Sequence, residues 1–243
     1  VPHEIRELDS PPAPEPYAAQ RLGLGQGGHR YGLFEDPGGI RRDLLFHAGP
    51  LPALGYRTYR LVPGDAEGDP CAGVAGERSL TDAVIENDHY RLDVNPYTGR
   101  LRSLIDRNTG REWVDAEGDH PFGGVIVRRP SGEEIVAVCE GWCDVETGPL
   151  SGSVRAVLSA PGHPRMELTY GLRAGERRVR ITLAMQMGPE PLLETFLAFP
   201  FALPEAEWTA ETPLCAYRPV PDRLPGAFAN RLTVQDWVRL SDG

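Results

Sequence analysis

The sequence predicts an all-β protein whose main part is an antiparallel β-sandwich. Three observations lead to this prediction. Apolar and polar residues alternate along many short runs, and the 28 Gly and 24 Pro residues fall between those runs. No amphipathic helix of convincing length is present. Because successive side chains of a strand point to opposite faces, alternation with a period of two is typical of half-buried strands.

The stretch 87–115 predicts a strand, a turn, a second strand, a second turn and a third strand. Pro96 and Gly99 end the first strand, because Pro lacks an amide donor and Gly adopts a positive φ at little cost. The second turn is expected at 108–110. The apolar face of the first strand consists of Tyr90, Leu92 and Val94.

Three later runs with short turns between them predict an antiparallel meander whose apolar side chains point inward. Their apolar faces are Val154, Ala156 and Leu158; Met166, Leu168, Tyr170 and Leu172; and Val179, Ile181, Leu183 and Met185. Further strands are predicted within 1–8, 17–22, 40–48, 55–62, 123–128, 194–201 and 232–240, whereas 203–229 is predicted to be irregular.

The composition divides the chain into three parts. Residues 1–62 are expected to form the end of a small β domain, and residues 81–243 the first part of a large sandwich. The intervening 63–80 is rich in Pro, Gly, Asp and Glu and is predicted to be a linker. Because the chain opens at Val1 without Met, we expect it to be a segment of a longer protein.

The glycines at 23–28 have the spacing of a dinucleotide-binding loop, but no amphipathic helix follows them. We therefore interpret this stretch as an ordinary flexible loop.

Charge and hydropathy exclude several classes of function. The net charge of -10 argues against a nucleic-acid partner, which requires a basic surface. All 25 basic residues are Arg, so no lysine nucleophile or Schiff base is available. No apolar run approaches the roughly 18 residues of a membrane span.

The four cysteines, Cys71, Cys139, Cys143 and Cys215, are predicted to be free thiols in a reducing cytoplasm. Cys139 and Cys143 match neither a CxxC redox pair nor a zinc ribbon. On one continuous strand they would share a face but lie too far apart for a disulfide bond.

Three passages resemble the β-rich C-terminal part of glycoside hydrolase family 38, the α-mannosidases and their bacterial relatives. They are LPALGYRTY at 51–59, the stretch 87–115, and Tyr217-Arg218-Pro219 together with 232–242. The resemblance implies a sandwich like that of galactose mutarotase. It also implies a parent retaining α-mannosidase whose two carboxylates and zinc ion lie in an N-terminal α/β barrel that is not visible here.

The resemblance thus implies that this segment has no catalytic residue, metal or cofactor of its own, the zinc belonging to the barrel. Its partners would be the rest of the parent chain and carbohydrate. The family's later sandwich region approaches the catalytic cleft, so Tyr217 and Arg218 are expected to face carbohydrate. Trp142 is a third candidate, because its neighbours Gly141 and Cys143 favour a loop or bulge and an aromatic ring can stack on a sugar.

Two alternatives from other classes stay open. One is a complete mutarotase-like or epimerase-like enzyme, in which His89 and Glu112 would act as an acid–base pair if folding brought them together. The other is a carbohydrate-binding module, in which Trp113, Trp208 and Trp237 would also be candidates for stacking. His120 could supply a metal ligand, but no second ligand cluster accompanies it, so a polar turn is favoured.

Overall fold

A computed structural model describes residues 3–7, 42–46, 53–60, 73–189, 194–213, 215–219, 221–223, 225–226 and 233–242. Only strands, turns and irregular segments occur in these ranges, which confirms the all-β prediction. The strands are β1 (His3–Glu7), β2 (Arg42–Phe46), β3 (Ala75–Arg78), β4 (Ala83–Glu86), β5 (Tyr90–Val94), β6 (Leu101–Asp106), β7 (Arg111–Glu112), β8 (Val125–Arg128), β9 (Glu134–Val136), β10 (Val138–Cys139), β11 (Asp144–Thr147), β12 (Ser151–Ala160), β13 (His163–Arg173), β14 (Arg180–Gln186), β15 (Glu194–Leu197), β16 (Glu207–Thr212), β17 (Cys215–Tyr217) and β18 (Val238–Ser241).

Two five-stranded antiparallel sheets form the sandwich. The first has the order β3-β4-β5-β6-β7. In the second, β10 and β11 both pair with β12, and β13 and β14 follow. One hydrophobic cluster joins the two sheets, because it contains Leu92 and Val94 of the first together with Val154, Leu168 and Tyr170 of the second. Three smaller antiparallel sheets have the orders β15-β8-β9, β17-β16-β18 and β1-β2.

The predicted alternation is confirmed in the central strands. Leu92 and Val94 are fully buried, whereas Arg91, which precedes them in β5, is exposed. The predicted apolar face of β13 is buried along its whole length. The face of β14 is less covered, and Met185 is 45% exposed. The reason is that β14 is the last strand of its sheet among the described residues, so only β13 shields it.

Asn87 attaches the predicted hairpin to the second sheet. Its side-chain NH2 group donates to the carbonyl oxygens of Arg173 (2.7 Å) and Glu176 (3.0 Å) in the turn that follows β13. Its side-chain oxygen accepts from the amides of His89 and Tyr90, which fixes the start of β5. Asn87 is 3% exposed, so these bonds are shielded from water and the start of the hairpin is tied to both sheets.

Tyr170 joins the sheets at the other end of the hairpin. Its buried hydroxyl group donates to the carbonyl oxygen of Gly99, 3.1 Å away. Burial raises the pKa of the Tyr170 phenol, so the group stays a neutral donor. Gly123 passes directly beside it: a Cβ atom at this position would lie 1.9 Å from the Tyr170 hydroxyl oxygen. The ring therefore needs a glycine at 123.

Several boundaries differ from the sequence-based predictions. β3 lies inside the range predicted to be a linker, and it pairs with β4 from Ala75 onward. Residues 53–60, part of which was predicted to be a strand, have no strand conformation, and Tyr56 is 88% exposed. Of the final strand predicted at 232–240, the described residues 233–237 have no strand conformation, and β18 begins at Val238. The remaining division into a small domain, a linker and a large sandwich stays a prediction.

The region 203–229 was predicted to be irregular, which is wrong for part of it, because β16 and β17 lie there. β16 is formed by pairing with β18, which lies far downstream in sequence, and the local pattern carries no sign of that partner. The predictions for 17–22, for the glycine loop at 23–28 and for Cys71 fall outside the described residues.

We expect Gly123→Ala to destabilise the fold more than Gly110→Ala. Both glycines have φ near +72°, so each substitution costs about 1–2 kcal/mol of backbone strain. Nothing lies within 4 Å of the new Cβ at Gly110, whereas Tyr170 blocks it at Gly123. Chemical denaturation should show an additional loss of roughly 1–3 kcal/mol for Gly123→Ala. Tyr170→Phe should recover part of that additional loss in the double variant, and equal losses for the two glycine variants would contradict the proposed contact.

Candidate functional site

A bulge between β10 and β11 carries Trp142. Cys139 pairs with Leu158, and Asp144 pairs with Arg155, so five residue steps on the bulged side match three steps on β12. Two extra residues therefore leave the ladder. Gly141 has a φ of 89°, a conformation that glycine adopts without strain, and it allows the chain to turn outward. The sequence-based prediction that Trp142 lies in a loop or bulge is confirmed.

The turn between β5 and β6 lies directly against this bulge. The amide of Cys143 donates to the carbonyl oxygen of Pro96 at 3.0 Å. Within the turn, the side-chain oxygen of Asn95 accepts from the amides of Tyr97 (2.9 Å) and Thr98 (3.2 Å). The backbone carbonyl oxygen of Asn95 accepts from the amide of Gly99. The turn is therefore rigidly built, and it presents Tyr97 beside the bulge.

Tyr97 and Trp142 form an exposed aromatic pair. Their ring centroids are 4.8 Å apart and their planes are inclined by 53°. Both side chains remain open to solvent, since Tyr97 is 51% exposed and Trp142 is 40% exposed. Tyr97 comes from the first sheet and Trp142 from the second, so the pair lies where the two sheets meet. We call the turn 95–99 and the bulge 140–143 together the turn–bulge surface.

Charged groups border this surface. The guanidinium carbon of Arg78 lies 5.9 Å from the centroid of the Trp142 ring. Arg78 also pairs with Asp144 (3.6 Å), and Asp144 pairs with Arg155 (3.3 Å). These groups are close to half exposed, so the pairs contribute little to stability and stay accessible to a ligand. A ring flanked by hydrogen-bonding groups suits a ligand with an apolar face and a polar rim, as a pyranose has.

Tyr217 and Arg218 do not act together on one surface. Tyr217 pairs with Ala210, so its side chain lies on the same sheet face as that of the buried Ala210. Arg218 directly follows the strand and forms a closed pair with Asp222: its Nη2 and Nε atoms donate to the carboxylate at 2.7 and 3.2 Å, and its amide donates at 3.0 Å. The Arg218 guanidinium therefore holds a turn, and it lowers the pKa of Asp222.

Glu112 has a structural role in the hairpin. One carboxylate oxygen accepts from the amides of Leu104 (2.8 Å), Trp113 (2.9 Å) and Val114 (2.9 Å), and the other accepts from the Ser103 hydroxyl group. Partial burial by itself would raise the pKa of Glu112, but these hydrogen bonds outweigh burial and hold the pKa below its usual range. A carboxylate that is bound in this way is a poor general acid.

His89 is held separately from Glu112. Its Nδ1 atom lies 3.2 Å from the side-chain nitrogen of Asn108 in the turn between β6 and β7. Among the hydrogen bonds and ion pairs of the described residues, none joins His89 to Glu112. The geometry thus gives no support to an acid–base pair made of these two residues.

His120 lies beside an ion pair between a glutamate and an arginine. His120 lies 3.6 Å from Glu134, whose carboxylate is engaged by Arg128 and has a lowered pKa for that reason. In the part of the chain that the structure describes, no group of three or more potential ligands is arranged to hold a metal ion.

No helix in those ranges has the length and hydropathy to span a membrane.

The other tryptophans are less suited to stacking than Trp142. Trp113 is covered on one face by the Arg111 guanidinium, 4.5 Å from the ring centroid, and Arg111 is paired in turn with Asp242. Trp208 is half-buried in β16. Trp237 is 42% exposed and lies next to β18, so it is the best comparison for Trp142.

No protein-family model matches the chain, and no curated protein is significantly similar to it. The resemblance to family 38 glycoside hydrolases therefore stays a prediction from the sequence.

Sequence reasoning did not identify Tyr97, Arg78 and Asp144 as members of the site. Tyr97 offered one signal, because a large aromatic residue in the middle of a tight turn has little room to be buried. Arg78 and Asp144 offered none, since they join the site only through the contact between the two sheets.

We expect Glu112→Ala to lower the free energy of unfolding by about 1–3 kcal/mol, because three amides and a hydroxyl group lose a charged acceptor. The folded pKa of Glu112 is lowered, so its contribution is complete above the unfolded pKa of about 4.3 and is lost as the pH falls through the folded value. Denaturation at pH 7 and pH 3 should therefore give a smaller difference between wild type and variant at pH 3. Glu117→Ala, in an exposed turn, is the matched control and should change little.

Proposed function

We propose that this chain is a non-catalytic β-sandwich segment of an α-mannosidase-like glycoside hydrolase. In this proposal it supports the catalytic barrel of the parent protein and contacts carbohydrate through the turn–bulge surface. The observation that carries the carbohydrate part is the exposed Tyr97–Trp142 pair, which is bordered by Arg78 and Asp144.

In the stretch 87–115, the residues that resemble family 38 form the turns and fix the strands of the hairpin. These structural roles support the proposed relationship to that family. Gly99 and Gly110 have positive φ values in the two turns. Asp106 accepts from the amides of Asn108 (2.8 Å) and Thr109 (3.3 Å) and so shapes the second turn. Glu112 fixes the third strand. A pattern of this kind marks one particular hairpin rather than generic β-structure, because each residue type meets a specific geometric need.

The use of the acidic groups supports a non-catalytic role. The carboxylates of Asp82, Asp106, Glu112, Asp222 and Asp242 all have lowered pKa values, and each is held by hydrogen bonds or arginine partners. Glycosidase chemistry of the retaining kind needs two carboxyl groups about 5–5.5 Å apart, one of them with a raised pKa. The described carboxyl groups that show a pKa shift all shift in the opposite direction.

The carbohydrate contact is tested by titrating the protein with methyl α-mannoside and following chemical shifts of the tryptophan indole groups. We expect saturable shifts of the Trp142 signal and roughly two- to tenfold weaker binding for Trp142→Ala, since one aromatic stacking contact contributes about 0.5–1.5 kcal/mol. Trp237→Ala is the control, because that ring is about equally exposed and lies beside a different sheet, next to β18. Equal losses in both variants, or no saturable shift at Trp142, would contradict this surface.

The assignment to a glycosidase is tested with the complete coding sequence and an aryl α-mannoside. We expect that sequence to encode an α/β barrel with zinc ligands, and we expect hydrolysis by the complete protein but not by this chain alone. A complete protein without such a barrel would refute the proposal. Acceleration of glucose or galactose mutarotation by this chain alone would instead favour the mutarotase-like alternative.

A further inference from the structure

The bulge brings Cys139 and Cys143 much closer together than their sequence spacing suggests. On a regular strand, residues four apart are separated by roughly 13 Å. Because two residues leave the ladder, Cys143 follows Cys139 as the next position on the same sheet face, where two strand steps span roughly 6.6 Å. This separation falls within the range of about 4.4–6.8 Å between the Cα atoms of disulfide-bonded cysteines. The expected separation assumed one continuous strand, and the bulge removes that condition. The prediction of free thiols is confirmed for the described Cys139, Cys143 and Cys215.

The side chains of Cys139 and Cys143 also lie close to each other. Cys143 lies in the hydrophobic core and Cys139 packs against it, and the two thiol groups are close enough to influence each other's pKa. The Cys139 sulfur also lies 3.8 Å from the carbonyl oxygen of Gly141, and the Cys143 sulfur lies 3.7 Å from that of Asn95. The two sulfur atoms are therefore neighbours at the base of the loop that carries Trp142.

The two thiols differ in access. Cys143 is fully buried, whereas Cys139 is half-buried at the end of β10. Burial raises the pKa of both thiols, that of Cys143 to about 12, so neither is a constitutive thiolate at neutral pH. This arrangement gives the pair an order of reaction, in which Cys139 meets an oxidant first and Cys143 reacts second.

We propose that Cys139 and Cys143 form a reversible intramolecular disulfide bond when the protein meets a low-molecular-weight disulfide such as glutathione disulfide. The Cys139 thiolate attacks one sulfur of the oxidant, forming a mixed disulfide and releasing one thiol. The Cys143 thiolate then attacks the Cys139 sulfur and releases the second thiol. Two cysteine thiols are oxidised, the oxidant is reduced to two thiols, and the two cysteine protons end on those products.

The bond would close the base of the bulge without requiring a change of strand pairing. Its formation does not depend on the proposed function, because it rests on the register of β10 and β11 and on the position of both sulfur atoms at the base of the bulge.

The test uses the full chain with Cys71→Ser and Cys215→Ser, so that only the pair remains. The folded protein is treated with glutathione disulfide at mildly alkaline pH. The reaction is quenched with acid, and the mass of the intact protein is measured by mass spectrometry. We expect the loss of two hydrogen atoms and no lasting glutathione adduct. Cleavage after Glu140, which lies between the two cysteines, should give two peptides that separate only after reduction.

Two variants give the order of reaction. Adding Cys143→Ala should leave a stable glutathione adduct on Cys139, because the second thiol is missing. Adding Cys139→Ser should leave Cys143 unmodified in the folded protein, because it is buried. Circular dichroism checks that each variant is folded. The peptide mapping uses the protein that keeps both Cys139 and Cys143, so it does not depend on the folding of these two variants.

A lasting adduct on Cys139 while Cys143 is present would overturn the proposal, because it would show that the second thiol does not reach the first. An absence of any reaction at Cys139, under conditions that modify the exposed Cys215 of the wild-type protein, would also overturn it.

Discussion

The contact between Tyr170 and the hairpin turn determines how the two main sheets fit together. The Tyr170 hydroxyl group has a buried acceptor in the Gly99 carbonyl, and an unpaired hydroxyl in the same place would cost about 1–3 kcal/mol. The ring can reach this acceptor only because Gly123 leaves space beside it. A bond between the second sheet and the turn of the first thus fixes the relative position of the sheets. The turn–bulge surface depends on that position, since each sheet contributes one of its two rings.

Much of the scaffold could be predicted from the sequence, because its central strands are half-buried. Their buried and exposed faces therefore appear in the sequence as alternating apolar and polar residues. β5, β12 and β13 are examples, and the turn at Gly99 was marked by residue types with a specific backbone role. Strands whose stability comes from distant partners were missed. β16 pairs with β18, and β3 is four exposed residues paired with β4, so neither has a distinctive local pattern.

The site was predictable only in part, for a related reason. Trp142 could be placed in a loop or bulge because Gly141 precedes it. The partnership with Tyr97 arises from packing between the two sheets, and the proximity of Cys139 to Cys143 arises from a local change of register. Neither is a property of sequence spacing. Tyr217 ends β17, whereas Arg218 follows the strand and is engaged by Asp222, a partner that the sequence pattern does not indicate.

The bulge adds two residues to the strand rather than one, and this number matters for how such a surface could arise. A single inserted residue would reverse the faces of every side chain that follows, exposing Val145 and burying Asp144. An insertion of two leaves the faces of β10 and β11 unchanged on either side. The ring of Trp142 can therefore be added to or removed from the strand as a unit while the core keeps its packing. An addition of two residues therefore places a new side chain on the surface without exchanging the inner and outer faces of the flanking strands.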